Sequence, residues 1–464
     1  MPSIYLCIDF GSTYTKAVAI DSNNAEIVAR MNIPTTQKNG LQEGHLEILT
    51  HFKEKCGIGE KDYLGKFACS SAAGGLRMMV SGLVPKLTTE AAKRAALGAG
   101  AKVVRIFSYE LTHDDITMIT KERPDIFLIS GGLDGGEKQT AIHNSMLIAK
   151  NVKDIPVVYA GNRNAIDAVR EQFSQEEHRL FIADNVLASM DEVNVSSAQE
   201  LIRKIFLKQI VNAKGLNLVQ SQMDRGIIPT PSAVLRAAEH VSDTVFATEK
   251  GVMLIDPGGA TTDVHSIAPT EPSCSGRILK GLPEKRVKRT VEADLGVREN
   301  VKHLIEEVKL DPILNLNGMD KGTFSGIIDK FHAERQCIPA DRQEKIVDLY
   351  LARAAVEIAT QRHVGMIKKV WLPGGEQVVQ YGKDFSELSV VIGTGGVVIK
   401  SVDPRFVLNG ATADETNVTV LKPRSPKLFL DTSYILFAIG MLAESDPRLA
   451  SGLAQRYIEL VASG

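Results

Sequence analysis

The stretch Asp256-Pro257-Gly258-Gly259-Ala260-Thr261-Thr262-Asp263 lies between the apolar run Val252-Met253-Leu254-Ile255 and the alternating Val264-His265-Ser266-Ile267. It reads as strand, tight turn, strand. Paired glycines let a backbone approach a ligand closely and turn successive N–H groups into a concavity that suits phosphate. Asp256 and Asp263 fall at the two ends of the turn, where carboxylates hold a metal ion or its waters against the same phosphate. The pattern recurs at the N-terminus as Ile8-Asp9-Phe10-Gly11-Ser12-Thr13-Tyr14-Thr15-Lys16, again followed by an alternating strand, Ala17-Val18-Ala19-Ile20. Aligned on the aspartates, the copies share Ile8/Ile255, Asp9/Asp256, Gly11/Gly258, Thr15/Thr262 and Ile20/Ile267. Two such hairpins half a chain apart predict two similar α/β domains facing each other across a nucleotide cleft, over 1–249 and 250–464.

A third glycine-rich element, Val390-Val391-Ile392-Gly393-Thr394-Gly395-Gly396, follows near the C-terminus. In this order the three resemble the two phosphate motifs and the adenosine motif of the actin, sugar kinase and heat-shock-chaperone ATPase superfamily. That resemblance implies two actin-like (ribonuclease H-like) ATPase domains using ATP/ADP and Mg²⁺. It assigns Asp9 and Asp256 to the hydrated metal and Asp9, Asp256 and Asp263 to catalysis. Gly11, Ser12, Thr13, Lys16, Gly258, Gly259, Ala260, Thr261, Gly393, Thr394, Gly395 and Gly396 would hold the nucleotide. Lys16 or Asp263 would lie near the γ-phosphate, and which group assists the attacking water stays open. Such a site performs hydrolysis by positioning and electrostatics.

Composition agrees with a large soluble chain. At 464 residues it exceeds one ordinary core, and its hydrophobic share is 44%. A net charge of -2 gives no electrostatic reason to expect nucleic acid or an anionic membrane as partner. Five scattered cysteines lack metal-ligand spacing, and their odd number argues against a disulfide framework, which suggests reduced thiols and a cytoplasmic location. No secretion signal and no run of about 18 apolar residues is visible. No Ser-His-Asp order, HExxH or CxxC motif points to another chemistry.

Along the first half, strands and helices alternate as in a mixed sheet with covering helices. The strand Ile126-Phe127-Leu128-Ile129 runs into Ser130-Gly131-Gly132-Leu133-Asp134-Gly135-Gly136-Glu137. Those glycines read either as a turn needing positive φ or as a lining of the cleft or hinge. Farther on, helices are expected over 341–362, 364–367 and 428–442, and the single tryptophan, Trp371, is expected in the core.

The basic run Lys285-Arg286-Val287-Lys288-Arg289 leads into Thr290-Val291-Glu292-Ala293-Asp294-Leu295-Gly296. Read alone, it is a solvated face or, following the second hairpin so closely, a switch loop. Arg289-Thr290-Val291-Glu292-x-Asp294-Leu295-Gly296 also resembles the signature of the MutL-type accessory proteins of adenosylcobalamin-dependent mutases, which share only a name with the mismatch-repair ATPase. Further matches are Ser71-Ala72-Ala73-Gly74-Gly75-Leu76, Ser130-Gly131-Gly132-x-Asp134-Gly135-Gly136 and Gly382-Lys383-Asp384. The resemblance runs end to end. It implies an ATP-dependent reactivating chaperone that exchanges damaged cobalamin on a mutase such as glutamate mutase or a related aminomutase. Mutase subunits are the expected partners; a small accessory subunit and a homodimer stay open. The alternatives are a small-molecule kinase of the same superfamily and a nucleotide-gated structural protein.

Overall fold

The computed structural model describes residues 3–11, 14–35, 41–71, 76–190, 193–213, 219–270, 276–308, 318–335, 337–372, 375–414 and 417–461. It divides into two compact units, Met1–Ala233 with Gly281–Pro283, and Val234–Lys280 with Glu284–Gly464.

The strands of the first unit are β1 (Ile4–Phe10), β2 (Tyr14–Asp21), β3 (Glu26–Pro34), β4 (Tyr63–Ser70), β5 (Arg77–Gly82), β6 (Lys102–Ser108), β7 (Ile126–Ile129), β8 (Val157–Tyr159), β9 (Leu180–Ile182) and β10 (Ile228–Pro229). One sheet has the order β3-β2-β1-β4-β10. Its β1–β2 and β2–β3 pairs are antiparallel, whereas β4 joins β1 and β10 joins β4 in parallel. The central β1 is apolar at Leu6, Cys7, Ile8 and Phe10, all fully buried, as a strand covered on both faces requires.

The other sheet of this unit, β6-β5-β7-β8-β9, is wholly parallel. Side chains of β5 alternate across it. Met78 and Val80 pack with Ala91, Ala95 and Ile202 on one side, and Met79 with Ile119, Ile148 and Val169 on the other. Chain order reverses between β5 and β7, giving a doubly wound layer.

The second unit contains β11 (Val252–Pro257), β12 (Thr262–Ile267), β13 (Ile278–Lys280), β14 (Val287–Glu292), β15 (Met366–Leu372), β16 (Gly375–Tyr381), β17 (Val390–Gly393), β18 (Lys427–Asp431) and β19 (Ile458–Leu460). Its main sheet has the order β14-β12-β11-β17-β18-β19. The first five strands repeat the first unit's pattern: two antiparallel pairings from β14 to β11, then two parallel ones to β18. The duplicated five-stranded topology makes both units α/β domains of the actin-like, ribonuclease H-like kind. A 22-residue helix, Arg342–His363, covers this sheet. Its residues Val347, Leu351, Ala355 and Ala359 recur every fourth position and are buried, and Asp341 caps it by accepting from the Glu344 N–H.

Three local expectations fail. The helix expected over 428–442 is β18 followed by the helix Leu436–Leu442. The sheet needs a parallel neighbour for β17, and Asp431 ends the strand by accepting from the Ile435 and Leu436 N–H groups. The segment expected as helix over 364–367 enters β15, because Gly365 lies so close to the chain that a Cβ there would fall 2.7 Å from the Tyr381 and Lys383 carbonyl oxygens. Trp371 is 80% exposed rather than core. Among the described residues no helix is long and apolar enough to cross a membrane.

Candidate functional site

In each unit the hairpin turn closes on the same hydrogen bond. The Gly11 N–H donates to the Tyr14 carbonyl at 3.1 Å, and the Gly258 N–H to the Thr261 carbonyl at 2.8 Å. Gly11 aligns with Gly258 and Tyr14 with Thr261, so the sequence repeat is also a geometric one. A Cβ on Gly11 would overlap the Tyr14 oxygen, and one on Gly258 would lie 3.1 Å from the Thr261 oxygen. Ser12 and Thr13 lie outside the described residues.

Asp9 is the second-to-last residue of β1, directly across from Lys16. It is 2% exposed and accepts from the Thr230 hydroxyl at 2.6 Å and the Cys69 thiol at 3.5 Å. Burial pushes its carboxyl above the usual range, against the opposing pull of Lys16 and these hydrogen bonds. Thr35, which sequence reading missed, donates to the Gly11 carbonyl at 2.8 Å and meets the Thr15 hydroxyl at 3.1 Å.

In the second unit Asp256 stands directly across from Asp263. The two carboxylates have different surroundings. Asp263 is held by Arg289, whose side chain is 3% exposed and lies 2.6 Å away, and it also accepts from the Thr261 hydroxyl at 3.3 Å. Asp256 faces the third motif. Gly393 pairs with Ile255, the Thr394 N–H donates to the Ile255 carbonyl, and a Cβ on Gly395 would overlap Asp256 Oδ1. Gly395 has φ 87° and ψ 149°, a conformation essentially confined to glycine. Asp256 and Thr394 line a small pocket with Val234, Asp431, Tyr434, Leu436 and Phe437. The Thr394 hydroxyl donates to Asp431, which is fully buried and whose carboxyl burial pushes up. Gly396, one residue on, is exposed with open space beside it.

The signature segment wraps the second turn. The Val297 N–H donates to the Gly258 carbonyl, those of Arg298 and Glu299 to the Gly259 carbonyl, and the Asn300 amide to the Ala260 carbonyl. The Thr262 hydroxyl donates to the Leu295 carbonyl. Gly296 presses on the turn so closely that a Cβ there would fall 2.6 Å from Ala260 Cα. Upstream, Arg289 holds Asp263, the Thr290 hydroxyl meets His363, and Glu292 and Asp294 both engage Arg362. The segment is therefore not a loose switch loop. Lys285 and Arg286 are exposed ahead of it, but from Val287 to Glu292 the segment is strand β14, paired to β12 along its length, and Arg289 is buried rather than solvated.

The glycine cluster after β7 is a turn. Gly131, Gly132 and Gly135 have φ of 152°, 72° and 77°, and the Asn162 and Asn185 amides tie down the carbonyls of Gly132, Gly136 and Glu137.

Mg²⁺ keeps several waters and uses one or two carboxylates plus substrate phosphates. Asp9 in the first unit and Asp256 in the second each offer one carboxylate beside a glycine turn, the kind of ligand such an ion takes. Among the described residues no group of three or more His, Cys, Asp or Glu converges as a complete protein cage would require.

The sequence profile of the family described as MutL protein matches residues 5–458. Protein MutL of Clostridium tetanomorphum is 41% identical over 461 residues, covering 98% of this chain and 99% of that protein. Among solved structures, the nucleotide-free acetone carboxylase aligns with 96% of this chain and 70% of its own at 12% identity, with a TM-score of 0.41. The activator of the 2-hydroxyisocaproyl-CoA dehydratase from Clostridium difficile, with bound ADPNP, aligns with 99% of this chain and 100% of its own at 11% identity and a TM-score of 0.32.

Proposed function

The chain belongs to the MutL protein family, and on that premise we propose that it is an ATP-hydrolysing accessory protein that reactivates an adenosylcobalamin-dependent mutase, glutamate mutase or a related aminomutase. The observation that carries the ATPase part is the duplicated hairpin, in which an aspartate and a glycine whose N–H closes the turn recur at the same register in both units. A lone turn of this kind is commonplace; a matched pair in duplicated sheets is what a phosphate-gripping device needs.

In this reading the first turn, which begins at Gly11, and the amides of Gly259, Ala260 and Thr261 in the second bind the phosphates, and Gly393–Gly396 receives the adenosine. Asp9 and Asp256 would hold Mg²⁺, which would supply charge neutralisation for the transferring phosphoryl group. Lys16 supplies a fixed cation on the Asp9 side. Asp263, held by Arg289, orients the attacking water. Hydrolysis then serves to alternate two states that bind the mutase differently, since a ligand shifts an equilibrium only by its differential affinity.

The test is recovery of cobalamin-inactivated glutamate mutase on addition of this protein, Mg-ATP and fresh coenzyme. Recovery that needs hydrolysable ATP is expected. ATP turnover stimulated by a small hydroxylated acceptor and not by any mutase would replace this reading with a small-molecule kinase.

A further inference from the structure

The three-stranded sheet β13-β16-β15 stands apart from the main sheet of its unit and carries an unusual amount of exposed apolar surface. Trp371 is 80% exposed, Leu279 57%, Ile278 41% and Met366 40%. All three residues of β13 are exposed. On the side away from β16, the edge of β15 is met at its start, where Met366 bridges Val420 and the Ile367 N–H donates to the Thr419 carbonyl. From Lys368 onward no strand among the described residues lies beside that edge. An open strand edge flanked by an exposed indole is the kind of surface that another strand covers, with main-chain hydrogen bonds giving affinity and the aromatic side chain an anchor.

The charges select what can cover it. Lys280, Lys368 and Lys369 stand against the single Glu376, which pairs with Lys369 at 2.6 Å, while Arg277 is neutralised by Asp384. Edge lysines oppose pairing between two copies of the same strand, because each would meet its own charge. They attract a strand of opposite sign.

We propose that the β15 edge with Trp371 is a docking surface for an acidic, apolar extended segment of the client protein, which adds to β15 as a further strand. This rests on the reading of the chain as a mutase accessory protein. It requires nothing of the phosphate turns.

The chain has one tryptophan, so 5-fluorotryptophan gives a single ¹⁹F resonance from Trp371, to which unlabelled mutase is silent. Titrating cobalamin-inactivated glutamate mutase with Mg-ATP should shift or broaden that resonance. Trp371→Ser, and separately Lys368→Glu with Lys369→Glu, should each weaken mutase binding about tenfold or more, the loss typical of an anchor residue. Turnover of ATP without mutase should stay at the wild-type rate. If the wild type binds and reactivates the mutase while the resonance stays put and both variants bind as tightly, the docking surface is refuted and the accessory-protein reading survives. A resonance that moves with this protein's own concentration would make the surface a self-association site and also refute it. Failure of the wild type to bind the mutase in any nucleotide state would overturn the accessory-protein reading and this surface with it.

Discussion

Replacing Gly395 by alanine tests the join between Asp256 and the third motif. At φ 87° and ψ 149° a residue with a Cβ is strained by about 1–3 kcal/mol. The new methyl would also overlap Asp256 Oδ1, so either the carboxylate or the 393–396 turn must shift. A loss of about 2 kcal/mol in a domain of this size lowers Tm by roughly 4–8 °C. Because the displaced atom is the proposed metal-facing carboxylate, affinity for Mg-ATP should fall about tenfold or more, the equivalent of about 1.4 kcal/mol. Gly396→Ala is the control. Its Cβ would meet nothing within 4 Å and its φ is not positive, so stability should change by less than about 0.5 kcal/mol. Differential scanning calorimetry with and without Mg-ATP, together with isothermal titration, separates the two effects. Wild-type melting and wild-type nucleotide affinity in Gly395→Ala would refute the argument that this glycine seats Asp256.

Three further outcomes follow from the same geometry. Asp9→Asn removes a buried charge that the fold already disfavours, so Tm should hold or rise while steady-state ATP turnover drops at least about tenfold; Asp256→Asn should lose turnover likewise, and full activity in both would dismiss the metal assignment. Arg289→Met strands the Asp263 carboxylate and should cost about 3 kcal/mol in urea denaturation, most of it regained in Arg289→Met/Asp263→Asn, whereas additive losses would deny the pair. His265 is fully buried, and burial holds its imidazole down to about 3 from the usual 6.5. The unfolded chain therefore binds a proton that the folded one refuses. That stability is present above pH 6.5 and is lost on acidification toward pH 3, by up to about 1.4 kcal/mol per pH unit, and His265→Gln should flatten the slope measured by denaturation between pH 6 and 4 by that amount.

The parts of this architecture that were legible in the sequence are short-range. A strand, a glycine turn and a second strand fit within some sixteen residues, and finding them twice gave the duplicated fold before any tertiary contact was known. What stayed hidden depends on distant partners. Thr230 reaches Asp9 across 221 positions and Thr35 reaches Gly11 across 24, and isolated threonines after a proline give no local sign of such a role. Trp371 was misplaced because a lone tryptophan in an apolar strand reads as core, while burial depends on whether anything covers that strand. The 428–442 run misled for a related reason. Continuous apolarity suits a buried strand and a buried helix equally, and only the vacancy beside β17 decides where the strand ends.

The reading of 285–289 as a solvated face holds at the exposed Lys285 and Arg286 and stops there, since almost every residue of the pattern from Arg289 to Gly296 has a partner on the hairpin or on the helix Arg342–His363. In the first turn the Gly11 carbonyl accepts from the Thr35 hydroxyl. The second turn has its Gly258, Gly259 and Ala260 carbonyls occupied by 297–300 and its backbone pressed by Gly296. Close-packed contacts of this kind do not yield piecemeal; they move together or hold. Any rearrangement of the Gly258–Thr261 turn must therefore carry 295–300 with it. It must also load the ion pairs that Glu292 and Asp294 make with Arg362, in the last turn of the 22-residue helix. Residues 295–300 are thus the mechanical seat of the second turn, and the acidic Glu292 and Asp294 just before them tie that seat to the helix Arg342–His363.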